Sequence, residues 1–254
     1  LLNHKKVLEL SQKYNWKIYS GIMFNHESQF RDDNYLYMKV IILAGGFGTR
    51  MHKEFPKIPK PLIPVNDIPI LEHLIYECKK YNQSDILLVL HYMPEKIKNY
   101  FGNGSKFNVN IQYFVEEIPL GTAGALLAVK HMLEDTFLVL YADVYSKLNL
   151  NEFYKFHINQ HADISIVVHP NDHPYDSDIV KCNSNNTVVK FSSHPHQDDY
   201  LKNLVNAAMY LINQSALINY KNNKNEKLDI AQDMFPSLLK RDCIIAAYKT
   251  CEYI

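Results

Sequence analysis

Short apolar runs set between stretches of helical spacing are the feature that most restricts this chain. Residues 40–44, 85–90 and 137–141 are each a few residues long and almost wholly apolar, as strands buried on both faces must be. Between them, Ile70, Leu71, Leu74, Ile75 and Cys78 fall on one helical face, predicting a helix over 70–80. Residues 95–101 read as a short helix stopped by Gly102, and 109–115 as a strand. A helix follows over 122–133 with Thr122 as its cap, then a helix over 150–160 and a strand over 163–169. This alternation predicts an α/β fold: a three-layer, Rossmann-like, mostly parallel sheet. After residue 170 the pattern changes. Residues 178–182 and 187–191 read as a hairpin turning at Asn183-Ser184-Asn185-Asn186, followed by a strand over 205–212, a helix over 228–239 and a strand over 243–248. That part predicts a small β-rich unit beside the sheet.

Charge and cysteine usage narrow the function classes. The 254 residues carry 27 basic and 27 acidic side chains, so the net charge is zero. A protein that binds nucleic acid by neutralising phosphates is normally basic, which weighs against that class. No apolar run approaches the length of a membrane-spanning helix, and the N-terminus has no secretory apolar stretch. The four cysteines form no CxxC pair, so neither a zinc site nor a disulfide framework is expected, and a cytoplasmic location is the simplest expectation. The close pairs His157/His161, His169/His173 and His194/His196 lack the acid or cysteine partners of a metal site. Residues 1–37 differ from the remainder and read as a linker or the tail of a preceding domain, with the main domain over 38–254. The first residue is Leu, as in a piece of a longer, multidomain enzyme.

The chemistry gathers after the first strand. Leu43-Ala44-Gly45-Gly46-Phe47-Gly48-Thr49-Arg50 is a glycine loop leaving a buried strand. Its glycines permit close backbone approach, its amides can form an anion-binding concavity, and Arg50 adds a fixed cation. It matches neither the Walker loop nor the dinucleotide fingerprint, and by itself a plain turn explains it equally well. The proline-stiffened Phe55-Pro56-Lys57-Ile58-Pro59-Lys60-Pro61-Leu62-Ile63-Pro64-Val65 could hold Lys60, or its neighbour Lys57, over the loop.

Taken together, GGxGTR and PKPLIPV resemble the signature of the sugar-1-phosphate nucleotidylyltransferases, the nucleotide-sugar pyrophosphorylases, from about Met38 onward. The resemblance implies a glycosyltransferase-A-like nucleotidyltransferase fold. It also implies attack of a sugar 1-phosphate oxygen on the α-phosphate of a nucleoside triphosphate, with pyrophosphate leaving. On that reading Leu43, Ala44, Gly45, Gly46, Gly48 and Thr49 cradle the nucleotide. Arg50 holds the leaving phosphates, and Lys60 the α-phosphate. Asp143, at the end of the third apolar run, binds Mg²⁺; Ala142 stands where the family often has Gly. A second metal-binding Asp is expected beyond Ile254. For the base, Glu116 and Gly121 in Glu116-Glu117-Ile118-Pro119-Leu120-Gly121-Thr122-Ala123-Gly124 resemble guanylyltransferases for mannose-type sugars, with Glu117 the alternative reader. A carboxylate accepts two hydrogen bonds, which suits guanine N1–H and N2–H₂ and favours GTP; UTP, CTP and dTTP are the rivals.

On the sugar side the family's Glu-Lys-Pro lysine is missing from Phe191-Ser192-Ser193-His194-Pro195-His196, leaving His194 or His196 as substitutes. Asn206, in Val205-Asn206-Ala207-Ala208-Met209-Tyr210, is implied to reach sugar hydroxyls, with a buried structural Asn as the alternative. The stretch His169-Pro170-Asn171-Asp172-His173-Pro174-Tyr175-Asp176-Ser177-Asp178 is similar to heptose-1-phosphate guanylyltransferase-like proteins. It points to D-glycero-α-D-manno-heptose 1-phosphate or mannose 1-phosphate as acceptor. A homo-oligomer and a non-catalytic regulatory subunit of the same fold are further readings of the resemblance.

Overall fold

In the computed structural model, the described residues are 37–51, 54–133, 135–171, 174–193, 196, 203–218, 220 and 226–251. The expectations for residues 1–36, for His173 and for His194 therefore lie outside the described residues. The first strand, β1 (Val40–Leu43), is central. On one side it pairs in parallel with β4 (Asp85–Leu90), and β4 with β5 (Asn110–Val115). On the other it pairs in parallel with β6 (Thr136–Tyr141). A two-stranded ribbon, β2 (Pro64–Val65) and β3 (Ile68–Pro69), precedes α1 (Ile70–Lys80). Helices α2 (Pro94–Phe101), α3 (Gly121–Ala128) and α4 (Leu150–Asn159) occupy the later crossovers.

The unbroken apolar runs are explained by two cores. Side chains alternate across a strand, so Ile41 and Leu43 join Leu87, Val89 and Val139 on one face. Val40 and Ile42 join Ile86, Leu88 and Leu138 on the other. A strand with both faces buried has no position for a polar residue. Each such Ile or Leu removed from water contributes about 1.5–3 kcal/mol.

The sheet is mostly parallel, as expected, with one reversal. Beyond β6 lie β10 (Leu204–Asn213), β7 (Ile164–Pro170) and β11 (Ile245–Lys249). Strand β10 runs antiparallel to both β6 and β7, whereas β11 is parallel to β7. The hairpin β8 (Ile179–Cys182) and β9 (Val188–Ser192) forms as expected and branches from β10 at Val205–Ile179. Between Asn206 and Tyr210 the β10 register shifts, and Ala208 takes a φ of 56°. This bulge bends the reversed strand.

Two helix expectations need correction. Thr122 does not cap α3: the helix begins at Gly121, whose φ is 76°, with Leu120 at the cap position. The regular helix ends at Ala128 and tightens into a 3₁₀ turn over Lys130–Met132. Likewise the segment expected as a helix over 228–239 starts later, as a π turn (Ile230–Met234) leading into the short α-helix Phe235–Leu239. Asp229 sets that start, its side chain accepting from the amides of Ala231 and Gln232. Gly102 does end α2, with a φ of 55°.

Candidate active site

The glycine loop leaves β1 at the edge where the parallel strands end, which is where open α/β sheets bind ligands. The Ala44 amide donates to the Val89 carbonyl at 2.8 Å, tying the loop's start to β4. Gly45 is required by a close approach: a Cβ there would lie 2.8 Å from Glu116 Oε2. Gly48 has a φ of 61°, and its added Cβ would press on the Lys60 side chain. Thr49–Met51 then form a 3₁₀ turn. Arg50 sits in that turn; its side chain lies outside the described residues.

Lys60 opens a second 3₁₀ turn (Lys60–Leu62) behind Pro59, with Pro61 buried beneath it. This stiff turn brings the Lys60 ammonium to Asp143 Oδ2 at 2.5 Å. Asp143 follows β6 directly. The two side chains are 41% and 38% exposed, so the pair is solvated and weakly held, worth at most about 1 kcal/mol. A phosphate or a cation can therefore separate it at small cost. Lys57 is exposed and does not line the cavity that Lys60 and Asp143 share; its backbone carbonyl accepts from the Lys96 ammonium.

Glu116 follows β5 and is 8% exposed. Its Oε1 accepts from the Leu120 amide at 3.2 Å, and His91 bonds its backbone carbonyl at 3.0 Å. Burial raises its pKa, an effect offset in part by the Leu120 amide and by His91. Glu117 is exposed.

These groups share a cavity of about 260 Å³. Leu43, Ala44, Gly45 and Gly46 line it, with Lys60, Glu116, Gly121 and Asp143. Gly48, Thr49, Glu117 and Asn206 are not among its lining residues. Thr122, expected only as a helix cap, lines it too, as do Tyr141 and Lys227, for which the sequence predicts no role. Tyr141 had a faint signal, being the last residue of β6 and two before Asp143; the others carry no local one.

Behind the cavity runs a chain of hydrogen bonds whose direction follows by elimination. A carboxylate only accepts, so the Thr122 hydroxyl donates to Asp229 Oδ2, at 2.8 Å. Tyr141, bonded to both Thr122 and Tyr210, must then donate to Thr122 and accept from Tyr210. The Tyr210 oxygen accepts from Asn206 Nδ2 at 2.9 Å. Burial pushes both phenols well above their ordinary range, so both stay protonated donors. Asn206 Oδ1 accepts from the Ala208 amide at 3.1 Å and so holds the bulge. On the sugar side, His196 is bonded to the Ser177 carbonyl at 2.7 Å.

Among the described residues no group of three or more His, Cys, Asp or Glu side chains could hold a metal ion by itself. The cavity offers one solvated carboxylate, Asp143. That suits Mg²⁺, which keeps water and takes phosphate oxygens beside one or two carboxylates.

A glycine loop at the end of a central parallel strand, facing a lysine and an aspartate across a cleft, defines an α/β protein built to handle phosphate groups. The chain belongs to the nucleotidyl transferase family, whose model matches residues 39–250. It is 35% identical over 186 residues to mannose-1-phosphate guanylyltransferase 1 of Arabidopsis thaliana, a match covering 71% of this chain and 51% of that protein. The chain spans about half the length of the curated relatives it matches. The structure of HddC from Yersinia pseudotuberculosis superposes with a TM-score of 0.72 at 24% identity, over 85% of this chain and 92% of that one. A putative glucose-1-phosphate thymidylyltransferase from Bacillus anthracis superposes with a TM-score of 0.75 at 21% identity, over 85% and 88%. These two likenesses establish the fold. Among the described residues no helix is long and apolar enough to cross a membrane.

Proposed function

We propose that this chain transfers GMP from GTP to a sugar 1-phosphate, either D-glycero-α-D-manno-heptose 1-phosphate or mannose 1-phosphate. The observation that carries this reading is the single cavity that joins the glycine loop, Lys60, Asp143 and the buried carboxylate of Glu116. A phosphate oxygen of the acceptor attacks the α-phosphorus, the bond to the β-phosphate oxygen breaks, and pyrophosphate departs with the electron pair. Such a reaction asks the protein for positioning and charge neutralisation rather than covalent chemistry.

The backbone of Leu43, Ala44, Gly45 and Gly46 packs along the nucleotide, while Gly48, Thr49 and Arg50 form the turn for the leaving phosphates. The Lys60 ammonium neutralises charge at the α-phosphate as it develops. Asp143 would hold Mg²⁺, which supplies charge neutralisation on the phosphates when bound. The Glu116 carboxylate accepts from guanine N1–H and N2–H₂ beside Gly121. Uracil and thymine offer one imide donor between two carbonyls, which the carboxylate would face unfavourably. Asn206 keeps one N–H and one oxygen lone pair for sugar hydroxyls. The 35% identity to a mannose-1-phosphate guanylyltransferase supports the same base and acceptor class.

The test is pyrophosphate release by the full-length protein with Mg²⁺, crossing four nucleoside triphosphates with mannose, glucose and heptose 1-phosphates. The expected signal is confined to GTP with a heptose or mannose 1-phosphate. A signal with UTP or dTTP instead would overturn the base reading. Silence from folded protein across the whole grid would overturn the activity.

A further inference from the structure

Leu120 joins two groups that lie far apart in the sequence. Its amide donates to Glu116 Oε1 at 3.2 Å, and its carbonyl accepts from the Leu228 amide at 2.9 Å. The Leu228 carbonyl accepts in turn from the Ala123 amide at 2.9 Å. Gly121 makes this approach possible, since a Cβ there would sit 2.4 Å from the Leu228 oxygen. The backbone of Lys227, the residue before Leu228, is therefore held beside the peptide that holds Glu116; its side chain is exposed, and the residue lines the same cavity. Among the described residues no carboxylate pairs with its ammonium, whereas the Lys60 ammonium is taken by Asp143. Glu116 and Lys227 thus line one cavity, their backbones joined through the single Leu120 peptide, and among the described residues no carboxylate holds the Lys227 ammonium elsewhere.

That pair matches one edge of one base. Guanine presents an acceptor, O6, next to two donors, N1–H and N2–H₂. We infer that Lys227 is a base-specificity residue, its ammonium donating to guanine O6 while Glu116 accepts from the two neighbouring donors. The inference rests on the guanylyl reading above and deepens it. Adenine and cytosine place an amino group where O6 would be, setting donor against donor. Uracil and thymine keep an acceptor for Lys227 but turn a carbonyl towards Glu116. Adenine N1 and cytosine N3 are acceptors as well, so both residues reject those two bases, and Glu116 alone rejects uracil and thymine.

Equilibrium binding of GTP, ITP and 6-thio-GTP to the full chain, measured calorimetrically with Mg²⁺ and no sugar, separates the two contacts. ITP lacks the 2-amino group, and 6-thio-GTP replaces O6 with a poor acceptor. Wild type is expected to prefer GTP to each analogue by about tenfold, the scale of one hydrogen bond to a charged group. Lys227→Met should abolish the preference over 6-thio-GTP while keeping that over ITP, and Lys227→Arg should retain both. A Lys227→Met protein with an unchanged preference over 6-thio-GTP overturns the assignment. So does a defect confined to KM for the sugar 1-phosphate, which would give the ammonium to the acceptor's phosphate. A wild type that binds UTP or dTTP better than GTP would overturn the guanylyl reading itself, and this inference with it.

Discussion

Lys60 and Asp143 face each other at 2.5 Å at the mouth of the cavity, and both are well solvated. A solvated pair of this kind adds little to stability, so its removal should be felt in turnover and hardly in folding. Lys60→Ala and Asp143→Asn are each expected to lower kcat by about a hundredfold or more, the scale of a lost electrostatic stabiliser. Their thermal midpoints should stay close to wild type. Steady-state rates beside a melting curve check both halves, and a near-wild-type rate in either variant removes that residue from the mechanism. Glu116 makes the opposite case, because its carboxylate is buried and its pKa is raised chiefly by that burial. The folded state therefore prefers the protonated acid. The stability this confers is complete below the ordinary carboxylate pKa and is lost as pH rises through the raised value. The base reading proposed for Glu116 needs the ionised form, so KM for GTP is expected to climb as pH falls through that raised value, while still above the ordinary range. Glu116→Gln should erase this limb of the KM profile and weaken the preference for GTP over UTP. An unchanged nucleotide ratio would clear Glu116 of base reading.

At the scale of elements, the strands were readable because doubly buried strands leave a signal of period and length that needs no partner. Residues 40–44 and 137–141 show it: the alternation of Ile41 and Ile42 between the two cores makes every position apolar. The start of α3 was not readable. A Thr before a helical run normally reads as a cap, but the Thr122 hydroxyl is used by Asp229 and the Ile230 amide. Both partners come from the far end of the chain, and no local pattern announces them. The late start of the helix expected over 228–239 has the same cause, since Leu228 is spent on Leu120 and Ala123. Asp229 is thus both the cap of the π turn and the partner of Thr122. Asp229→Ala should cost about 1–2 kcal/mol, as lost caps do, measurable by urea unfolding. A loss of under a few tenths would mean that neither bond matters to the fold.

At the scale of the whole molecule, most legible parts of the site sit next to strand ends, Lys60 on its proline-stiffened turn being the exception. The glycine loop, Glu116 and Asp143 each follow an apolar strand, so the sheet itself predicts their convergence. Lys227 and the place of Thr122 in the cavity were not legible, and Tyr141 only faintly, because α3, β6 and the segment around Leu228 must meet before these residues share a cavity. What ties β10 to that meeting is the hydrogen-bond chain from Asn206 through Tyr210 and Tyr141 to Thr122 and Asp229. It runs from Asn206, proposed to meet the sugar, to the start of α3, beside the proposed base reader Glu116, and every hydroxyl in it donates once towards a terminal carboxylate. Removing the central hydroxyl by Tyr210→Phe leaves Asn206 Nδ2 without its acceptor and Tyr141 without its donor. With Tyr210 fully buried, the loss should be about 1–3 kcal/mol. Asn206 would lose its anchor on one side while Thr122 keeps Asp229, so the effect on binding should be uneven. KM for the sugar 1-phosphate should rise several-fold more than KM for GTP. Equal rises in both would mean that the chain of bonds only stiffens the sheet, and that Asn206 does not meet the sugar.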